Sequence, residues 1–302
     1  MTSHEPRSFA PLIQLKPVAG EPGVFVGPRS PERERSPEDH AVTFGGHFLG
    51  QGLRAAQLTV ADRNPVPVVH SLQAYFLRGG DPAAESSYDV EAVRDGRSFA
   101  SRQVSASQDG REMFRMTASF QVPEDGFDYQ IDGRYPIESV PTPAQVQVTY
   151  TDSVIEQSGG EPGPWNGADH PMELLYINPP PPPSVLTPIT EPQLVWMRVE
   201  GGLGNDPAEH TAALAYLADA TLIDHVLLPH GKRWYDTRAN GTSLDHTMWF
   251  HRPARADEWL LYDQSVISTG GGRGLATGRF YDTDGVLIAT CNQEGLMRWS
   301  EA

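Results

Sequence analysis

The chain runs through the same two textures twice. A glycine-opened apolar stretch, Phe44-Gly-Gly-His-Phe-Leu-Gly-Gln-Gly-Leu-Arg-Ala-Ala56, precedes His70-Ser-Leu-Gln-Ala-Tyr-Phe-Leu-Arg78 and several runs that alternate apolar and polar residues. The second half repeats that order with His210-Thr-Ala-Ala-Leu-Ala-Tyr-Leu-Ala218, then Asp245-His-Thr-Met-Trp-Phe-His-Arg252, then alternating runs again. Helical spacing followed by period-two alternation predicts one helix and a meander of strands, two times over. Tyr75-Phe-Leu-Arg78 aligns with Trp249-Phe-His-Arg252 at an offset of 174, and Asp109-Gly110 with Asp284-Gly285 at 175.

Local chemistry sharpens this outline. Asp206 is suited to cap a helix, with Pro207 in its first position and Glu209 placed to complete a capping box. From Ser243 to His251, alternation puts Leu244, His246, Met248 and Phe250 on one face and Ser243, Asp245, Thr247, Trp249 and His251 on the other. Asp95-Gly96, Asp109-Gly110 and Asp284-Gly285 predict hairpin turns. Residues 172–177 and 192–198 read as the first two strands of the second unit, with the Pro179–Pro183 run in a loop between them. Residues 30–40 read as a charged, solvated loop. The expected fold class is α+β, with units at 1–130 and 165–302, a linker at 131–164, and short sheet edges that join the units into one sheet.

Composition narrows the class. The 302 residues carry a formal charge of −16, which argues against nucleic acid as a partner, since phosphate backbones need clustered Lys and Arg. No run of about 18 apolar residues predicts a membrane span. The N-terminus lacks the profile of a secretory signal, and Cys291 is the single cysteine, so a reducing, cytoplasmic setting is expected.

The chain has no Gly-x-Ser-x-Gly elbow, phosphate-binding glycine loop, dinucleotide fingerprint or zinc-protease helix motif. Asp219 stands out instead, because it is the only side chain charged at neutral pH between Thr211 and Ile223. A carboxylate there is either a surface group or one that must find donors. Taken alone, Ser243, Gln293, His70 and His246 each read more readily as ordinary structural residues, and Cys291 as a small core residue.

The motifs Phe44-Gly-Gly-His47, Val69-His-Ser71 with Tyr75-Phe-Leu-Arg78, Arg94-Asp-Gly-Arg-Ser-Phe99, Met116-Thr-Ala-Ser-Phe-Gln121, Ser243-Leu-Asp-His-Thr-Met-Trp-Phe-His-Arg252 and Gln293-Glu-Gly-Leu-Met-Arg298 together resemble the type II, TesB-like acyl-CoA thioesterases. The likeness spans roughly Gly27 to Arg298 and weakens between Asp132 and Asp169. It implies a double hotdog fold and hydrolysis of fatty acyl-CoA to free acid and CoA, without metal or redox cofactor. It also implies a homo-oligomer, dimer or tetramer. Carried over by motif, the residues that hold the attacking water are Asp219, Ser243 and Gln293, with His70 as an auxiliary. Arg78, Arg252 and Arg298 are candidates for the CoA phosphates. The competing readings are a non-catalytic acyl-CoA-binding hotdog protein and an enoyl-CoA hydratase.

Overall fold

A computed structural model describes residues 8–31, 42–146, 170–180, 187–233 and 239–300. The interval 147–169, the prolines from 181 to 183, and most of the charged loop expected at 30–40 therefore lie outside the described residues.

The first half comprises β1 (Lys16–Pro17), β2 (Val24–Gly27), α1 (Gly45–Leu58), β3 (Val68–Phe76), β4 (Ser86–Asp95), β5 (Phe99–Gln108) and β6 (Arg111–Gln121). The second comprises β7 (Met172–Tyr176), β8 (Gln193–Val199), α2 (Pro207–Ala218), β9 (Ala239–Ser243), β10 (Asp245–Phe250), β11 (Leu260–Gly270), β12 (Arg273–Tyr281) and β13 (Leu287–Trp299). All ladders are antiparallel, and the strands form one 13-stranded sheet ordered β1-β2-β4-β5-β6-β3-β10-β13-β12-β11-β8-β7, with β9 paired to β13. Each half thus uses the same internal order, and the halves meet edge to edge along β3 and β10. Tyr75 faces Asp245 at one end of that seam and Ser71 faces Trp249 at the other.

Period-two burial marks which side of the sheet is core. Along β5 the alternation is unbroken, with Ala100, Arg102, Val104 and Ala106 turned inward. The Asp109-Gly110 hairpin has positive φ at both residues, 48° and 73°, the geometry a two-residue turn demands. Asp206 caps α2 by accepting from the Ala208 N–H. The expected capping box does not form, because the Glu209 carboxylate turns to Arg54 of α1 instead.

Helices α1 and α2 lie side by side and antiparallel in the hollow of the sheet. Gln57, late in α1, donates to Thr211 early in α2, while Gly46 and Gly50 lie against Tyr216 and Ala212. A Cβ on Gly46 would overlap the Tyr216 carbonyl oxygen, so only glycine allows this approach. The consequence for the site is direct: the amino end of α1 meets the carboxyl end of α2.

Two features depart from expectation. The stretch Pro207–His230 is long and apolar enough to cross a membrane by composition, but most of it is buried inside the fold. Part of the expected linker crosses the outer face of the second half. There Trp196 donates to the Pro141 carbonyl and Arg134 pairs with Asp263, over a small cluster of Val140, Leu194, Leu261, Tyr281 and Leu287.

Candidate active site

Asp219 follows the last turn of α2 and is only 6% exposed, which settles the surface-or-buried question in favour of burial. Each of its carboxylate oxygens accepts a hydrogen bond. Gln293 Nε2 donates to Oδ1 at 2.5 Å, and the Gly46 backbone N–H of α1 donates to Oδ2 at 2.8 Å. The same Gln293 amide donates to Ser243 Oγ at 2.8 Å. Asp219, Ser243 and Gln293 therefore converge, and the first half of the chain contributes a fourth group, Gly46.

The route by which Ser243 arrives differs from the sequence reading. It does not open a strand that continues to His251; it closes β9, and β10 begins at Asp245. Ser243 pairs with Gly295, whereas Thr247 pairs with Asn292, so the register slips by one residue across Leu244. The Asp245 carboxylate fills the gap by accepting from the Glu294 N–H. This β-bulge turns Ser243 onto the inner face, where simple alternation places it outside.

Burial pushes the Asp219 carboxyl up to about 6, against the opposing hydrogen bonds from Gln293, Gly46 and Ser243. Beneath it, Tyr262 donates to the Ala218 carbonyl and contacts the Cys291 sulfur at 3.0 Å, tying down the end of α2. Burial raises both of those groups, Tyr262 far above its usual range and Cys291 to about 12, so both stay neutral while Asp219 titrates. Two residues on, Thr221 adopts φ of +67°, rare for a β-branched residue, and is anchored by Gln264 Nε2 at 2.7 Å.

The other expected residues separate. His70 Nε2 bonds the Ser119 hydroxyl at 2.8 Å. It lies five positions along β3 from Tyr75, the residue facing Asp245, which is about 17 Å of strand. Register makes Leu244 the counterpart of His70: β3 slips against β6 at His70 as the second half slips at Leu244. The counterparts of Ser243 and Gln293 in the first half are accordingly Val69 and Ala118, both buried and apolar. Arg252 sits at the far end of β10, bound to Asp128 and the Leu287 carbonyl. Arg78, exposed, follows Phe76, whose ring lies against Gly45. Arg298 is exposed three residues beyond Gly295 on β13.

The fatty acyl-CoA that the family resemblance implies would need an apolar tunnel for its acyl chain. A cavity of about 370 Å³ bordered by Arg134, Leu261, Asp263 and Tyr281 has none of the three converging residues in its wall. A second, of about 360 Å³, lies near Pro207, Arg255 and Trp259 and also excludes them.

Sequence reasoning missed Gly46. Its available signal was the spacing of Gly46 and Gly50, one helical turn apart, which marks a face where another backbone comes close.

Residues 34–121 match the acyl-CoA thioesterase N-terminal domain family, and residues 150–297 match the acyl-CoA thioesterase C-terminal domain family. Human acyl-coenzyme A thioesterase 8 is 36% identical over 266 residues, 84% of this chain and 80% of that protein. Acyl-CoA thioesterase 2 of Haemophilus influenzae is 36% identical over 266 residues, 85% and 88% of the two chains. Among solved structures, an acyl-CoA thioesterase II from Mycobacterium marinum superposes with a TM-score of 0.71 at 34% identity, over 97% and 98% of the chains. A hotdog-fold protein from Alicyclobacillus acidocaldarius gives 0.72 at 20% identity over the same shares, a likeness of fold alone.

Proposed function

Because the chain belongs to the acyl-CoA thioesterase family, in its double hotdog form, we propose that Asp219, Ser243 and Gln293 hold and activate the water that attacks the thioester. The chain is a thioester hydrolase acting on acyl-CoA. What carries the assignment of residues is the single shared amide of Gln293, which grips Asp219 and Ser243 at once.

In this reading a water bound between the carboxylate and the hydroxyl loses a proton to Asp219 as its oxygen attacks the carbonyl carbon. Ser243 and Gln293 restrict the water's orientation, which lowers the entropic cost of attack. The oxyanion develops beside the positive end of α1, whose first-turn amides begin at Gly45. The CoA thiolate then leaves with little need of acid, since a free thiol titrates near ~8.5. We read residues 1–130 and 165–302 as the two units. Arg78 and Arg298, both exposed toward the Ser243 end of the sheet, remain the candidates for CoA phosphates. Location and the Asp128 pairing speak against Arg252, and location against His70 as an auxiliary. A cytoplasmic homo-oligomer, dimer or tetramer, fits the lone buried thiol and the exposed Tyr75, Phe99 and Ile267.

The test is thiol release from decanoyl- and palmitoyl-CoA. Ser243→Ala and Gln293→Ala are each expected to lower kcat by ~10- to 10³-fold with smaller changes in KM. Wild-type kcat in both variants would reject the arrangement. The base must be ionised to act, so kcat/KM should rise with pH through about 6 and level off above it. A profile flat from pH 5 to 8 would remove Asp219 from the role.

A further inference from the structure

On the inner face of β10 sits His246, wholly buried, with both ring nitrogens lacking a partner in good hydrogen-bonding geometry among the described residues. Gln293 has the complementary deficit: its Nε2 is spent on Asp219 and Ser243, while its buried Oε1 has no donor among those residues. The ladder brings the two together. Thr247 pairs with Asn292 and Met248 with Cys291, so the next rung before the bulge sets His246 against Gln293. Both side chains point inward there, as Met248 and Cys291 do.

We infer that His246, as neutral imidazole, donates an N–H to Gln293 Oε1 and so is the positioning residue that fixes the amide for catalysis. A primary amide has two orientations that differ by a half-turn. In one, its NH2 meets the Asp219 carboxylate and the Ser243 hydroxyl. In the other, its carbonyl oxygen faces a carboxylate that can only accept, and the bond to Asp219 is lost. A donor behind Oε1 holds the productive orientation. Gln293 is also the hydrogen-bonding group that raises the proton affinity of His246, while burial lowers it to about 4, so the ring is neutral at working pH.

This inference rests on Gln293 acting in the trio, and the experiment separates the two ideas. The kinetics of His246→Phe, His246→Asn, Gln293→Ala and the His246→Phe/Gln293→Ala double variant are measured with decanoyl-CoA, alongside thermal melts. His246→Phe should lower kcat by ~10- to 100-fold with KM nearly unchanged. His246→Asn, which keeps a donor, should recover most of that loss. In the Gln293→Ala background, His246→Phe should cost nothing further in kcat, because there is no amide left to orient. Full additivity, equal impairment of the Phe and Asn variants, or wild-type kcat in His246→Phe would overturn the inference while leaving the trio intact. Wild-type kcat in Gln293→Ala would overturn both. If His246→Phe does not fold, His246→Leu replaces it in the same comparison.

Discussion

Asp219→Asn should lower kcat/KM by ~10²- to 10⁴-fold and at the same time make the protein harder to melt above pH 6. Both effects follow from one fact, a carboxylate kept out of water. As the proposed base, it is the group that would take the proton, and an amide cannot. As a buried charge, it is a thermodynamic burden. Its pKa in the folded chain, about 6, lies above the 3.8 of an exposed aspartate. Between those values the folded state holds a proton that the unfolded state has released, so stability declines as pH rises through the interval. Above pH 6 the burden is of order 3 kcal/mol. Asparagine escapes it, less whatever is lost where its amide meets that of Gln293. At pH 4, where the native carboxyl is already protonated, the two proteins should melt alike. The measurement is a melting curve at pH 4 and pH 7.5 beside the thiol assay. Equal melting temperatures at pH 7.5 would mean the carboxylate is not charged and buried as described.

Gly46→Ala should damage both stability and turnover, against the usual sign of such a change. In an ordinary helix, alanine is favoured over glycine by ~1 kcal/mol. Here the added methyl would overlap the Tyr216 carbonyl oxygen and the ring of Phe44. The Tyr216 oxygen is backbone and cannot step aside, so α1 must move off α2, at ~1–3 kcal/mol. That shift carries the Gly46 N–H away from Asp219 Oδ2, 2.8 Å away in the native fold. The expected result is a lower melting temperature and kcat reduced by ~10²- to 10³-fold. The acid limb of the pH profile should also move upward, since a donor that favours the carboxylate is lost. Native kcat in the Gly46→Ala variant would show that α1 takes no part in the site.

Much of this could be read before any coordinates. The repeat, the two helices, the Asp-Gly hairpin at 109–110 and the strands at 172–177 and 192–198 were written in periodicity and turn chemistry. Asp219 was conspicuous as a lone charge in an apolar run. Its helix partner was not, because Gly46 contributes only a backbone N–H from 173 residues away. Ser243 was placed on the wrong face because period-two reasoning assumes an unbroken ladder, and the slip at Leu244 is set by the Asp245 carboxylate and by strand pairing. The same slip recurs at His70, which the repeat offset of 174 sets opposite Leu244. Arg252 looked equivalent to Arg78 by repeat, and it is. That equivalence is what sends it to the opposite end of the β3–β10 seam.

The seam has one more implication. Two separate copies of a single module, paired symmetrically, would have to carry every reactive side chain at both related positions or at neither. Covalent fusion lifts that constraint, and Val69 and Ala118 show it lifted: where the second half places a hydroxyl and an amide, the first has filled the matching locus with hydrocarbon. One half is thereby free to specialise as scaffold and dipole donor, and the other as the proposed seat of proton transfer.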